Sequence, residues 1–152
     1  LSKLYGERLL GDIKDFPSIS MRMPSILETS RANHLIKRLI DQLKKNETVH
    51  LMNSNHPFNF LVSVRDIFSF VKEWSPIQPW DAVNLAVEPS YSLGEIVERL
   101  KLLMQSKSLV ENRIDKNNLR ILDIARAKKI YKFKPCDAFK SFDGLFLENK
   151  IL

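Results

Sequence analysis

Residues Met52 to Val71 read MNSNHPFNFLVSVRDIFSFV, and the fold follows from how that stretch is parsed. Thr48 to Met52 is a β-branched and apolar run, which predicts a strand. Asn53-Ser54-Asn55-His56-Pro57 supplies the residue types that reverse a chain. Phe60 to Val64 predicts a short second strand, and Val64, Ile67, Phe68, Val71 and Trp74 recur at helical spacing. Strand, turn, strand and helix in succession suggest alternating α and β elements.

The flanks continue the alternation. Upstream, Leu1 to Leu10 reads as a helix with Leu1, Leu4, Tyr5 and Leu9 on one stripe and Gly11 as its stop. Pro17 to Met23 alternates apolar and polar residues as a strand does, and Pro24 closes it. Leu35, Ile36, Leu39, Ile40 and Leu43 form the next helical stripe. Downstream of Pro76 and Pro79, Ala82 to Val87 predicts a strand. Ser92 and Glu95 then have capping-box spacing ahead of Leu93, Ile96, Val97, Leu100 and Leu103. Leu109 to Ile114 and Asn118 to Leu122 predict further strands, Asp123 to Ile130 a short helix, and Cys136 to Leu152 a partly helical tail. The pattern is α/β with parallel pairing, in one unit spanning residues 1–152.

Composition narrows the classes. The 152 residues are 44% apolar and 28% charged, ordinary values for a globular protein with a core. No apolar run approaches the roughly 20 residues that cross a bilayer, so no membrane span is expected. No basic-then-apolar leader opens the sequence, and Cys136 is the single cysteine. A reducing, cytoplasmic setting is the expectation. The formal charge of +6 suits an anionic ligand. The basic residues are dispersed along the chain, so a solvated basic surface is expected and no nucleic acid partner. His34, His50 and His56 are scattered, with no clustered thiols or carboxylates, so no metal site is expected.

Several stretches, in order, resemble the NAD-dependent epimerase/dehydratase family, the extended short-chain dehydrogenase/reductases. Phe58-Asn59-Phe60 followed by Val62-Ser63-Val64-Arg65-Asp66 resembles that family's aromatic-Asn pair and V-x-V-x-D step into a helix. Met21-Arg22-Met23-Pro24-Ser25-Ile26-Leu27 resembles its L-R-x-P-x-x-x-G strand and loop, with Glu28 where the glycine is expected. Ala82-Val83-Asn84-Leu85-Ala86 with Ser92-Leu93-Gly94-Glu95 resembles x-x-N-L-x … S-x-x-E. Asp123-Ile124-Ala125-Arg126-Ala127 with Phe133-Lys134-Pro135 resembles D-x-S-K-A … L-G-W-x-P, with Lys132 where glycine is usual. Ser2-Lys3 with Glu7 resembles the continuation of the Tyr-x-x-x-Lys motif, whose tyrosine would precede Leu1.

The resemblance implies the C-terminal part of a Rossmann-like parallel sheet with a small α/β substrate-binding lobe. It implies NAD or NADP as cofactor and a nucleotide sugar as substrate. Lys3 would be the catalytic lysine that binds the nicotinamide ribose and lowers the tyrosine pKa. Pro24, Ser25 and Ile26 would pass the nicotinamide face, and Asn33, Asn59 and Arg120 would meet the substrate. A homodimer through the helix of Lys3 is implied as well.

Dinucleotide binding needs a Gly-rich turn at a helix N-terminus. Gly6, Gly11, Gly94 and Gly144 are the only glycines, and no two have that spacing. The expectation is therefore the substrate-binding half of an epimerase, dehydratase or reductase, inactive as this chain and lacking the nucleotide-binding half. The alternative expectation is a non-catalytic sugar-nucleotide-binding or interaction module of the same ancestry.

Overall fold

The structure is a computed structural model that describes residues 2–13, 15–27, 35–115 and 120–147. In chain order these form α1 (Ser2–Asp12), β1 (Ser18–Arg22), β2 (Ser25–Ile26), α2 (Leu35–Lys44), β3 (Val49–Met52), β4 (Leu61–Val62), α3 (Val64–Glu73), β5 (Trp80–Asn84), α4 (Leu93–Met104), β6 (Val110–Arg113), α5 (Ala125–Tyr131) and α6 (Ala138–Leu147). The mixed α/β expectation holds. The strands associate as three parallel pairs, β1 with β5, β2 with β4 and β3 with β6.

One backbone bond joins two of the pairs, Val87 N–H to Leu61 O, while others extend them. Leu85 N–H donates to Arg22 O at 3.0 Å, and Val87 N–H donates to Leu61 O at 2.8 Å. The chain after β5 thus leaves β1 and passes to β4. Leu27 N–H bonds the other side of β4 at Val62 O, 2.9 Å away. Parallel strands flanked by helices bury both faces, which is why Leu61, Val62, Leu85, Ala86 and Val87 are an unbroken apolar set at 0% exposure.

Two cores follow. The larger unites Ile36, Leu39, Ile40 and Leu43 of α2 with Val49 and Leu51 of β3. Leu93, Ile96, Val97 and Leu100 of α4, Ala138 and Phe142 of α6, and Leu27, Leu61 and Val87 beside them complete it. The second packs Val83 and Leu85 against Phe70 of α3, Ala127 of α5 and Phe133. Asp81 anchors that core, accepting from Arg126 Nε and Nη2 at 3.0 and 2.8 Å and from the Tyr131 hydroxyl at 2.6 Å.

The predicted capping box is present. Glu95 N–H donates to Ser92 Oγ at 3.2 Å, and Ser92 N–H donates to Glu95 Oε2 at 2.7 Å. α6 is latched to α4 by Arg99 on the Asp143 carboxylate, at 3.0 and 2.6 Å, and by Tyr91 stacked on Phe139.

Three expectations need correction. α1 runs through Gly11 to Asp12, and a Cβ added at Gly11 would stand 3.6 Å from the Trp80 ring, an ordinary contact, so the position does not act as a stop. The predicted stripe of α1 is not a core face, since Leu4, Tyr5 and Leu9 are 59–65% exposed. The predicted strand at Asn118 to Leu122 has no strand in its described part, Arg120 to Leu122, which is held by a side chain instead of a ladder. No helix among the described residues is long and apolar enough to cross a membrane.

Candidate functional site

β3 ends in a turn that begins at Asn53, whose φ of 54° is the left-handed conformation that asparagine tolerates. The turn is docked on the start of α4. Gly94 N–H donates to Ser54 O at 2.8 Å and Leu93 N–H to His56 O at 3.4 Å. The close approach requires glycine, because a Cβ at position 94 would stand 3.0 Å from Ser54 O. Phe58 N–H adds a bond to Tyr91 O at 2.9 Å. The loop from Asn53 to Phe60 is therefore fixed on a helix N-terminus before it enters β4.

That loop forms one wall of a cleft of about 560 Å³. Leu35 and Arg38 of α2, one turn apart and so on one face, line the cleft with His50 and Met52 of β3. Phe58, Phe60, Leu93 and Arg120 complete the greater part of the lining. A smaller hollow of about 360 Å³ shares Leu35, Arg38 and His50 with it. The larger cleft has two guanidinium groups, two imidazoles and no carboxylate among its lining residues. The Phe58 and Phe60 rings lie tilted at 44° with centroids 5.9 Å apart. Such a cleft offers flat apolar surface for a ring and fixed positive charge for an anion.

The predicted residues fall as follows. Arg120 is exposed and lines the cleft. Asn59 is fully buried behind it, and both polar ends of its carboxamide go to the Leu122 backbone, at 2.8 and 2.9 Å. Ser25 and Ile26 pair with Leu61 and Val62, which brings the backbone after Pro24 beside the end of the same loop. Lys3 is exposed on α1. It lies one turn before Glu7 on the same face, and Glu7 accepts from Arg22 Nε and Nη2 at 2.9 and 2.6 Å. That ion pair ties the face of Lys3 to the end of β1, just ahead of Pro24. Asn33 and Glu28 lie outside the described residues.

Arg38 lines the cleft from outside the apolar stripe of α2, which marks only the face turned to the core. Its position three residues after Leu35 was the available signal. Asp66 is 3% exposed and accepts from Cys136 N–H at 3.1 Å, so this first-turn carboxylate ties α3 to the chain ahead of α6. Burial and the neighbouring Asp66 push the Cys136 thiol up to about 11, which keeps it protonated at neutral pH. No group of three or more metal-ligating side chains exists among the described residues.

No protein-family model matches the chain, and no curated protein is similar to it. Solved structures are. The enzyme WbmG of Bordetella bronchiseptica, in complex with NAD and UDP, matches 99% of this chain with 50% of its own, at a TM-score of 0.74 and 14% identity. RMD from Pseudomonas aeruginosa, complexed with NADPH, matches 99% with 54%, at 0.74 and 17% identity. UDP-N-acetylglucosamine 4-epimerase from Bacillus cereus matches 99% with 53%, at 0.71 and 18% identity. The chain thus spans about half the length of these proteins and has the fold of their C-terminal half.

Proposed function

We propose that the chain is the substrate-binding half of an NAD(P)-dependent nucleotide-sugar epimerase, dehydratase or reductase. The observation that carries this reading is the cleft, in which Arg38 and Arg120 bring positive charge to a wall of Phe58, Phe60 and Met52. A nucleoside diphosphate sugar has the complementary parts, a flat base and a diphosphate. WbmG, which shares the fold, has been seen with NAD and UDP.

In this reading Arg120 and Arg38 meet the diphosphate, and Asn33 and Asn59 belong to the substrate side. Lys3 and the Pro24–Ile26 backbone form the part of the nicotinamide site that this half contributes. The residues present do not fit the dinucleotide by themselves, because no Gly-rich turn lies within these 152 residues. No hydride step is therefore derived, and the isolated chain is expected to bind substrate without turning it over. A cytoplasmic location and a homodimer through α1 belong to the same proposal.

Titration calorimetry of the 152-residue chain with UDP, UDP-sugars and NAD tests it. Saturable binding of the uridine ligands, weakened by Arg120→Ala, is expected, together with no heat from NAD. A folded chain that binds no nucleotide sugar refutes the reading. The second reading is a non-catalytic sugar-nucleotide-binding module, favoured by the departures from the family pattern at Glu28 and Lys132. It gains ground if adding the dinucleotide-binding half of a relative restores no activity to a chain that binds UDP-sugar.

A further inference from the structure

Asn59 is at 0% exposure, and both polar ends of its carboxamide bond one peptide. Its Nδ2 donates to Leu122 O at 2.8 Å, while Leu122 N–H donates to its Oδ1 at 2.9 Å. This two-point clamp fixes the peptide's position and tilt as a strand partner would, and Arg120 to Leu122 have no strand partner. The same device recurs at the other end of the loop. Asn53 Nδ2 donates to Asp115 O at 2.8 Å, and Asp115 N–H donates to Asn53 Oδ1 at 2.8 Å. Asn84 Nδ2 adds a bond to Asp123 O at 2.8 Å, one residue beyond the Asn59 clamp. The loop that walls the cleft thus grips, through its own asparagines, the peptides of Asp115 and Leu122 on either side of Arg120.

We propose that Asn59 is a positioning residue, which holds the Leu122 peptide and so sets where the Arg120 guanidinium meets a phosphate or diphosphate group in the cleft, without touching that group itself. The inference rests on reading the cleft as an anion site. It assigns the buried asparagine a role through its neighbour. Asn59 is expected to change ligand affinity only as far as Arg120 does.

The test is a double-mutant cycle on the whole chain, with inorganic pyrophosphate as probe. Loss of the Arg120 contact is expected to weaken binding about tenfold, the size of one charge-assisted hydrogen bond. Asn59→Ala is expected to weaken it by a similar factor, and the double variant to be no weaker than Arg120→Ala alone. Additive losses, or unchanged affinity in a folded Asn59→Ala, overturn the proposal.

A second measurement needs no change at Asn59. By linkage, pyrophosphate held by Arg120 must slow opening of the Leu122 amide to hydrogen exchange, and Arg120→Ala must abolish that slowing. An amide that ignores bound pyrophosphate overturns the proposal, as does a wild-type chain that binds none. Pyrophosphate binding without UDP-sugar binding would instead defeat the nucleotide-sugar reading and leave the clamp standing. UDP-sugar binding with additive losses at Asn59 and Arg120 would do the reverse.

Discussion

Replacing Asp81 by asparagine removes the charge on which β5, α5 and the second core converge. The carboxylate is 5% exposed and accepts four bonds, from Arg126 Nε and Nη2, the Tyr131 hydroxyl and Ala82 N–H. Asparagine keeps one acceptor oxygen of similar shape, so the losses are the charge and about half the bonds. Hydrogen bonds to a charged group contribute about 1.5–3 kcal/mol each. Arg126 is half exposed and can turn to water, which holds the cost below that of a fully buried pair. The expected loss is about 2–3 kcal/mol, or roughly 5–10 °C in Tm for a chain of this length.

Urea unfolding across pH checks both size and cause. Burial would raise the Asp81 pKa, but the bonds from Arg126 and Tyr131 outweigh it and leave it below the ordinary 3.8. A depressed carboxylate contributes stability above that ordinary value and loses it as pH falls through the folded one, so the gap between wild type and Asp81→Asn must close in acid. Burial and the same carboxylate push Tyr131 up to about 12 from 10.0. Its contribution is intact below pH 10 and lost between 10 and 12. A variant within about 0.5 kcal/mol of wild type at neutral pH, the range of a plain surface change, would refute this account, as would a gap that persists in acid.

Two further changes probe the rest of the fold. Phe142, at 0% exposure among α2, α4 and α6, should lose about 3–5 kcal/mol on Phe142→Ala, read as a fall in the urea midpoint. Lys132 holds φ at 57°, a left-handed conformation that costs a side-chain-bearing residue, so Lys132→Gly should raise stability by about 1 kcal/mol by the same assay.

Lys132 also shows why some of the fold was legible. The family pattern places glycine at that position, and the left-handed backbone there is the physical reason. The capping box of α4 and the stripe of α2 were readable because each signal is local and each helix has one apolar face. α3 was harder. The predicted stripe of Val64, Ile67, Phe68, Val71 and Trp74 omits Phe70 and needs correction, because apolar residues at 64, 67, 68, 70, 71 and 74 cover more than one face. Phe70 turns inward at 4% exposure with Ile67 packed beside it, leaving Phe68 and Val71 at 67% and 51%. α1 misled for a related reason, since its partly buried residues include Leu10, Gly11 and Glu7, which bonds Ser20 and Arg22, none of them on the predicted stripe.

The candidate site divides along a different line. Arg120 was legible as an isolated cation in the right part of a family pattern, and it reaches the cleft. Asn53 was expected to be a turn residue and Asn59 to meet the substrate, yet each bonds a distant peptide through both ends of its carboxamide. Their partners, Asp115 and Leu122, are 62 and 63 residues away, and local pattern has no access to such pairs. An asparagine that satisfies both groups of a distant peptide replaces a missing ladder bond with a single side chain. This accounts for the failed strand prediction at Arg120 to Leu122 and for the fixed station of Arg120 at once. The residue expected to touch the ligand and the segment expected to be a strand are two ends of one interaction, and the cleft's charge is placed by it.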